Sequence, residues 1–112
     1  GDYLLEEGVE AIKLFRDAGY ANNIAKLSTT TPTYLTWNGT SWATSSANVF
    51  IDGRFERKIM VNEVLRNASE DISETGTLDS NSRLVAVSVA WNVKGATTTR
   101  TIQTYITNIF NN

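Results

Sequence analysis

Apolar residues recur at helical spacing near the start of the chain, and this pattern constrains the fold more than any other feature. Four of them follow one another at intervals of three or four positions: Leu5, Val9, Ile12 and Phe15. That spacing places them on one face of an α-helix, with charged residues on the opposite face. Gly19 predicts the end of the helix, because glycine is favoured just past a helix C-terminus. We therefore predict an amphipathic helix over residues 2–19.

Residues 83–93 alternate between apolar side chains and small or polar ones, which is typical of a β-strand with one buried face. The apolar members predict the face that packs in the core: Val85, Val87, Val89, Trp91 and Val93. A Lys94-Gly95 pair then predicts a turn. The threonine-rich residues 98–107 predict the returning strand of a hairpin.

Turn-forming pairs also separate the shorter apolar segments in the middle of the chain. An Asn-Gly pair lies between two runs of β-forming residues and predicts a hairpin over residues 33–44. Asp52-Gly53 predicts another turn, followed by a strand over residues 54–64 in which Arg57 interrupts the apolar alternation. Residues 66–82 are polar and acidic, so we predict a loop there.

Together these patterns predict an α+β fold in which the N-terminal amphipathic helix packs on an antiparallel sheet. The helix would occupy residues 2–19, a connector residues 20–32, and the sheet residues 33–110. Short turns between consecutive strands favour antiparallel pairing. The length of 112 residues fits one domain.

Several kinds of chemistry are excluded because the sequence has neither histidine nor cysteine. Disulfides, thiolate chemistry, Ser-His-Asp triads and histidine-containing zinc sites all require those residues. A net charge of −2 provides no basic field for nucleic acid, although Arg54, Arg57 and Lys58 form a small basic cluster in sequence. Nothing places the carboxylates of Asp52 and Glu56 in a cleft. We expect a protein that is not an enzyme, has no cofactor and does not bind nucleic acid.

Two groups of residues are candidate ligand sites. Trp37 and Trp42 flank the predicted hairpin turn and can stack on a sugar, or they can pack against each other as a cross-strand pair. The acidic segment offers oxygen ligands of the kind that calcium prefers, and its candidates are Asp71, Glu74 and Asp79. A solvated loop is the better explanation of these carboxylates, because no complete calcium-binding motif is present.

Three parts of the chain resemble type IV pilin-like proteins, a family that includes minor pilins and the pseudopilins of type II secretion. Residues 6–20 resemble the point where the long pilin helix enters the globular domain. Residues 51–57 are similar to the start of a strand in these proteins. Residues 85–91 and 101–108 are similar to their closing hairpin. The apolar N-terminal helix of the family and the cysteine pair of many pilins are missing from this sequence.

The resemblance implies a minor pilin or pseudopilin, which is a structural subunit of a type IV pilus or type II secretion-like filament. Such a subunit acts in filament assembly, adhesion or secretion, and its partners are other pilin or pseudopilin subunits. The four apolar helix residues would form the packing and assembly face.

The first residue is Gly1 rather than Met, so we expect that an upstream segment has been removed. The resemblance implies that this segment is an apolar helix that anchors the protein in the inner membrane. The location would then be extracytoplasmic, first at that membrane and later in a cell-surface filament or pseudopilus. The alternative function is a carbohydrate- or surface-binding β-rich adhesion module that uses Trp37 and Trp42.

Overall fold

The computed structural model describes residues 2–48, 50–51, 53–69, 71–73 and 75–108. Within these ranges the chain forms one helix followed by seven strands. The elements are α1 (Asp2–Asn23), β1 (Tyr34–Trp37), β2 (Trp42–Ser45), β3 (Phe50–Ile51), β4 (Phe55–Arg66), β5 (Ile72–Ser73), β6 (Thr77–Val93) and β7 (Ala96–Thr107). The prediction of a mixed fold, with an N-terminal helix and an antiparallel sheet, is confirmed.

The main sheet has the order β3-β4-β6-β7, and β5 also pairs with β4. All of its neighbouring strands are antiparallel. The predicted Asn-Gly hairpin is confirmed, but β1 and β2 form a separate two-stranded sheet. A single bridge between Thr33 and Ile59 links this hairpin to the middle of β4.

The apolar face of α1 packs on the main sheet. Leu5 and Ile12 are buried, while Val9 and Phe15 are partly buried against the same core. Gly8 allows the close approach, because a Cβ atom there would lie 2.8 Å from Cγ1 of Val87. The helix therefore contacts the sheet through one of the valines that the alternation of residues 83–93 predicts to be buried.

The helix extends past its predicted end. Gly19 interrupts it with φ 157° and ψ 99°, and helical residues then continue to Asn23. The change of direction places Tyr20 and Ile24 in the core, where both are fully buried. The side-chain amide of Asn23 donates to the carbonyl of Phe15 across the interruption at 3.1 Å. The connector predicted over residues 20–32 thus begins with a helical turn that buries Tyr20 and leaves Ala21 and Asn22 exposed.

The prediction of a loop over residues 66–82 is wrong. β4 continues to Arg66, and β6 begins at Thr77, so these polar residues pair in the ladder after a register shift between Glu63 and Val64. An ion pair at 2.6 Å between Nε of Arg66 and Oδ2 of Asp79 joins the two strands there. Because this part of the strand pair is stabilised by polar contacts rather than by a buried apolar face, the sequence shows no apolar alternation there that would predict a strand.

The alternation predicted for residues 83–93 is confirmed at Val85, Val87 and Val89, which are fully buried, whereas Val93 is 48% exposed because the strand extends past the core at that end. Trp91 is only partly buried, at the margin of the core, where its ring lies 6.1 Å from that of Phe55. The end of the predicted sheet at residues 109–110 lies outside the described residues. No helix in the described part of the chain is long and apolar enough to cross a membrane.

Candidate functional site

A groove of about 530 Å³ lies between α1 and the β1–β2 hairpin. Glu7, Glu10 and Leu14 of the helix form one wall, and Trp37 and Trp42 of the hairpin form the other. The remaining lining residues are Ala11, Leu35, Thr36, Ile51 and Arg57. The groove therefore lies between the two-stranded sheet and the helix.

The hairpin turn sets the position of the two tryptophans. The Oδ1 atom of Asn38 accepts hydrogen bonds from the backbone N–H groups of Thr40 and Ser41, both at 2.9 Å. This turn places Trp37 directly opposite Trp42 in the ladder, with ring centroids 5.1 Å apart and planes tilted by 55°. The cross-strand pair is thus formed. Trp37 is still 55% exposed, so one ring also presents a surface to solvent.

Arg57 lies on the inner face of β4 and is only 3% exposed. Its Nη1 atom donates to Oε1 of Glu7 at 2.8 Å and to the carbonyl of Leu4 at 3.1 Å. The guanidinium carbon lies 5.3 Å from the ring centroid of Trp42, within the range of a cation–π contact. This side chain joins the sheet, the helix and the hairpin behind the groove.

In the sequence Arg57 interrupts the apolar alternation of its strand, and no local pattern assigns it to this groove. A signal was present: a guanidinium on an apolar strand face requires a buried partner, because an unpaired buried charge is very unfavourable. The helix supplies that partner as Glu7. The pairing between positions 50 residues apart depends on how the layers are stacked.

The electrostatic character of the groove follows from these pairs. Glu7 neutralises Arg57, and Glu10 lies 3.5 Å from Nζ of Lys13 at the exposed rim. Leu14 is 59% exposed beside them. The surface therefore combines an aromatic ring, aliphatic groups and a few polar atoms, with no strong excess of one charge.

The basic residues near Arg57 do not form one patch. Lys58 pairs with Glu56 at 3.0 Å, and it follows the buried Arg57 in the same strand, so it points to the opposite face of the sheet. A side-chain hydrogen bond from Lys58 lowers the pKa of Glu56, and the same contact raises the pKa of Lys58. The guanidinium of Arg54 lies over the ring of Phe55 at 5.4 Å.

The carboxylates that were considered for catalysis or calcium have other contacts or fall outside the description. Glu56 accepts a short hydrogen bond from the side chain of Asn48, and Asp52 lies outside the described residues. Asp79 is paired with Arg66, whose hydrogen bond lowers the pKa of Asp79.

Of the two other calcium candidates, Asp71 is exposed and Glu74 is outside the described residues. The described residues contain no group of three carboxylates, histidines or cysteines placed to hold a metal ion.

The groove between α1 and the hairpin is suited to holding a ligand by stacking on Trp37 and by hydrogen bonds at its rim. Polar atoms of Glu10 and Thr36 lie among its lining residues. An exposed aromatic ring beside polar groups has the chemical character that suits a molecule with one apolar face and several hydroxyl groups. Comparisons with protein family models, with curated proteins and with solved structures found no match to this chain.

Proposed function

We propose that this chain is the globular domain of a pilin-like structural subunit, a minor pilin or pseudopilin of a type IV pilus or type II secretion-like filament. The supporting observation is an N-terminal helix that lies with its apolar face on an antiparallel sheet through Leu5 and Ile12. In this proposal the helix continues upstream as an apolar rod that first anchors in the inner membrane. It later packs with the rods of other subunits in the filament.

The proposal assigns the subunit contacts to the side of α1 that the domain leaves open. Leu5, Val9, Ile12 and Phe15 already pack on the sheet of their own domain, so they are occupied before any assembly. Tyr3 is 72% and Leu14 59% exposed, and these two side chains would contact neighbouring subunits. Repetition of one such heterologous contact produces a filament when the rotation does not close.

The coding sequence immediately upstream of Gly1 gives the first test. The proposal requires an apolar helix of about 20 residues there, preceded by a prepilin-peptidase cleavage site. A coding sequence without both features contradicts the proposal.

A second test places a photo-crosslinking amino acid at Tyr3 or Leu14 in cells that express the full-length protein. We expect covalent adducts with pilin or pseudopilin subunits at both positions. The matched control is the same amino acid at Thr40, on the exposed tip of the hairpin, where few adducts are expected. An equal adduct pattern at all three positions contradicts the assigned contact surface.

The alternative function, carbohydrate binding by an adhesion module, is supported by one specific observation. The exposed ring of Trp37 lies at a groove with polar groups on its rim, and sugars stack their apolar faces on such rings. Binding to a glycan array should be lost in Trp37→Ala and retained in Tyr105→Ala, which removes an exposed aromatic side chain elsewhere. Trp37 is a better choice than Trp42, because Trp42 also contacts Arg57. A wild-type protein that binds no glycan excludes this alternative.

A further inference from the structure

The two edges of the main sheet differ in what pairs with them. β6 pairs with β4 from Glu56 to Arg66 on one side, so every other partner of β4 must lie on its opposite side. Three short segments share that side: β3 at Phe55 and Glu56, Thr33 at Ile59, and β5 at Leu65 and Arg66. Short segments of this kind protect a sheet edge from pairing with another chain.

The opposite edge is formed by β7, a strand of 12 residues. Among the described residues its only strand partner is β6. The strand contains no proline and a single charged residue, Arg100. Its side chains are exposed along most of its length. Apart from Arg100, which lies opposite Val89, the strand has none of the usual features that prevent edge-to-edge pairing: it is long, without proline and without a β-bulge.

The backbone groups on the open side of β7 can be identified from the hairpin. Lys94 and Gly95 both have positive φ, 51° and 85°, and they form a two-residue turn between the paired residues Val93 and Ala96. The residues that flank such a turn exchange hydrogen bonds. At the far end, the N–H of Asn108 donates to the carbonyl of Asn81 at 2.8 Å. Ala96 and Asn108 are both even-numbered, so the two ends of β7 agree on which residues bond to β6.

Even-numbered residues of β7 therefore direct their backbone groups to β6, and odd-numbered residues direct theirs to the open side. The outward set is Thr97, Thr99, Thr101, Gln103, Tyr105 and Thr107. These residues present a regular row of N–H donors and carbonyl acceptors.

We propose that β7 pairs with β7 of a second copy of this chain, antiparallel and about a two-fold axis at Ile102. In this register all the outward residues face outward residues of the other copy, with Thr101 opposite Gln103 and Thr99 opposite Tyr105. Arg100 lies opposite Thr104, so the two guanidinium groups do not face each other. An axis at Arg100 would bring them together, which disfavours that register.

The number of hydrogen bonds in this pairing is typical of a specific interface. Each outward residue exchanges two backbone hydrogen bonds with its partner, which gives about twelve bonds, close to the number in a typical protein–protein interface. Among the residues that the structure describes, each copy has one long strand edge without a strand partner, so pairing of the two edges closes as a two-fold dimer. The inference does not depend on the filament proposal.

The test combines sedimentation equilibrium with hydrogen exchange of individual amides by NMR. We expect a concentration-dependent dimer of the wild-type protein. In the dimer, the amides of Thr99, Thr101 and Gln103 should exchange slowly, and on dilution they should exchange fast, while the amides of Ile102 and Thr104 stay protected at all concentrations. A protein that remains monomeric up to about 1 mM overturns the proposal. A dimer in which the odd-numbered amides still exchange fast also overturns it.

The variant that tests the register is the double substitution Thr101→Lys with Gln103→Lys. It places like charges directly opposite each other at two places in the proposed interface, and both side chains are exposed, so the monomer should still fold. The matched control is Asn22→Lys with Asn62→Lys, which adds the same charge at exposed positions away from β7. We expect the first variant to be monomeric where the wild type and the control are dimeric. Retention of the dimer in the first variant overturns the proposal.

Discussion

Two buried arginines on the inner face of the sheet contact opposite ends of α1, and they do so by different means. Arg57 reaches the first turns of the helix, where the carboxylate of Glu7 and the carbonyl of Leu4 accept its hydrogen bonds. Arg83 reaches the end of the helix, where the hydroxyl of Tyr20 lies 3.4 Å from Nη1. Both residues are less than a tenth exposed, at 3% and 8%.

The partners of Arg83 are mostly carbonyl groups of its own strand, from Asp79, Ser80 and Ser82. Arg57 has a charged partner on the helix, whereas Arg83 has none among the partners described. The start of the helix is thus fixed to the sheet by an ion pair between layers. The end is held mainly by the apolar burial of Tyr20 and Ile24. Substitutions at the first contact should therefore have larger effects than those at the second.

The largest effect is expected for Glu7→Gln, which leaves the buried charge of Arg57 without a carboxylate. Removing one member of a buried pair costs about 3 to 5 kcal/mol. Since Glu7 is 28% exposed, water can replace part of the contact, and we expect a loss of about 2 to 3 kcal/mol. Urea denaturation measures the free energy of unfolding.

Three further variants control this measurement. Glu10→Gln removes a carboxylate from an exposed pair on the same helix and should leave the free energy of unfolding nearly unchanged. Arg57→Met in the Glu7→Gln background removes the unpaired charge and should restore part of the lost stability. The single variant Arg57→Met completes the cycle. If the loss in the free energy of unfolding of the double variant equals the sum of the two single losses, the ion pair is not the reason for the loss.

Gly8→Ala tests the close approach that makes the same contact possible. The added Cβ atom would meet Cγ1 of Val87 at 2.8 Å and Cδ of Arg57 at 3.3 Å. Overpacking costs about 1 to 3 kcal/mol, and alanine recovers up to about 1 kcal/mol through its helix propensity. We expect a net loss of about 1 to 2 kcal/mol in thermal or urea unfolding. In a Val87→Ala background, where the clashing methyl group is absent, Gly8→Ala should be nearly neutral. If the losses of the two single variants simply add, the steric explanation is wrong.

Asp79→Asn tests the polar end of the sheet near Arg83. The hydrogen bond from Arg66 lowers the pKa of Asp79, so its stabilising effect is present above the unfolded pKa of about 4. That effect is lost as the pH falls through the lower folded pKa. At neutral pH the variant should be less stable by about 1 kcal/mol, and the difference should vanish in acid. A difference that stays constant with pH would exclude the charged pair as its source.

Tyr20→Phe should have the smallest effect, because the hydrogen bond to Arg83 is long and the carbonyl partners remain. We expect a loss below about 1 kcal/mol at neutral pH. Burial raises the pKa of Tyr20, with a partial opposing effect from Arg83. Because the folded state holds the phenol proton more tightly, the fold loses stability as the pH rises above the unfolded pKa of about 10 and through the higher folded pKa. The wild type should lose stability in this range faster than the variant, and parallel curves would contradict the assignment.

The predictable parts of the fold are those that depend on local periodicity and turn chemistry. The spacing of Leu5 and Ile12 predicts the buried helix face, and the alternation around Val87 predicts the central strand. The turn pairs predict both hairpins. The polar start of β6 was missed because its pairing depends on Arg66 and Asp79, which no apolar pattern reveals.

The candidate site was predicted only in part. Trp37 and Trp42 were identified from the turn between them. The opposite wall and Arg57 were not, because a groove between two layers forms only when the layers meet. The functional assignment to a pilin-like subunit and the alternative of glycan binding both remain predictions.

By itself the sequence determined which segments form the helix and most of the strands, because backbone preferences and side-chain periodicity act within a few neighbouring residues. It also determined that no histidine or cysteine chemistry is possible. The contact between Arg57 and Glu7 depends on the tertiary structure, and so does the difference between the two sheet edges, since in the described part of the chain β7 pairs with β6 alone. These features join residues far apart in the chain, so they depend on the stacking and order of whole elements rather than on any local pattern.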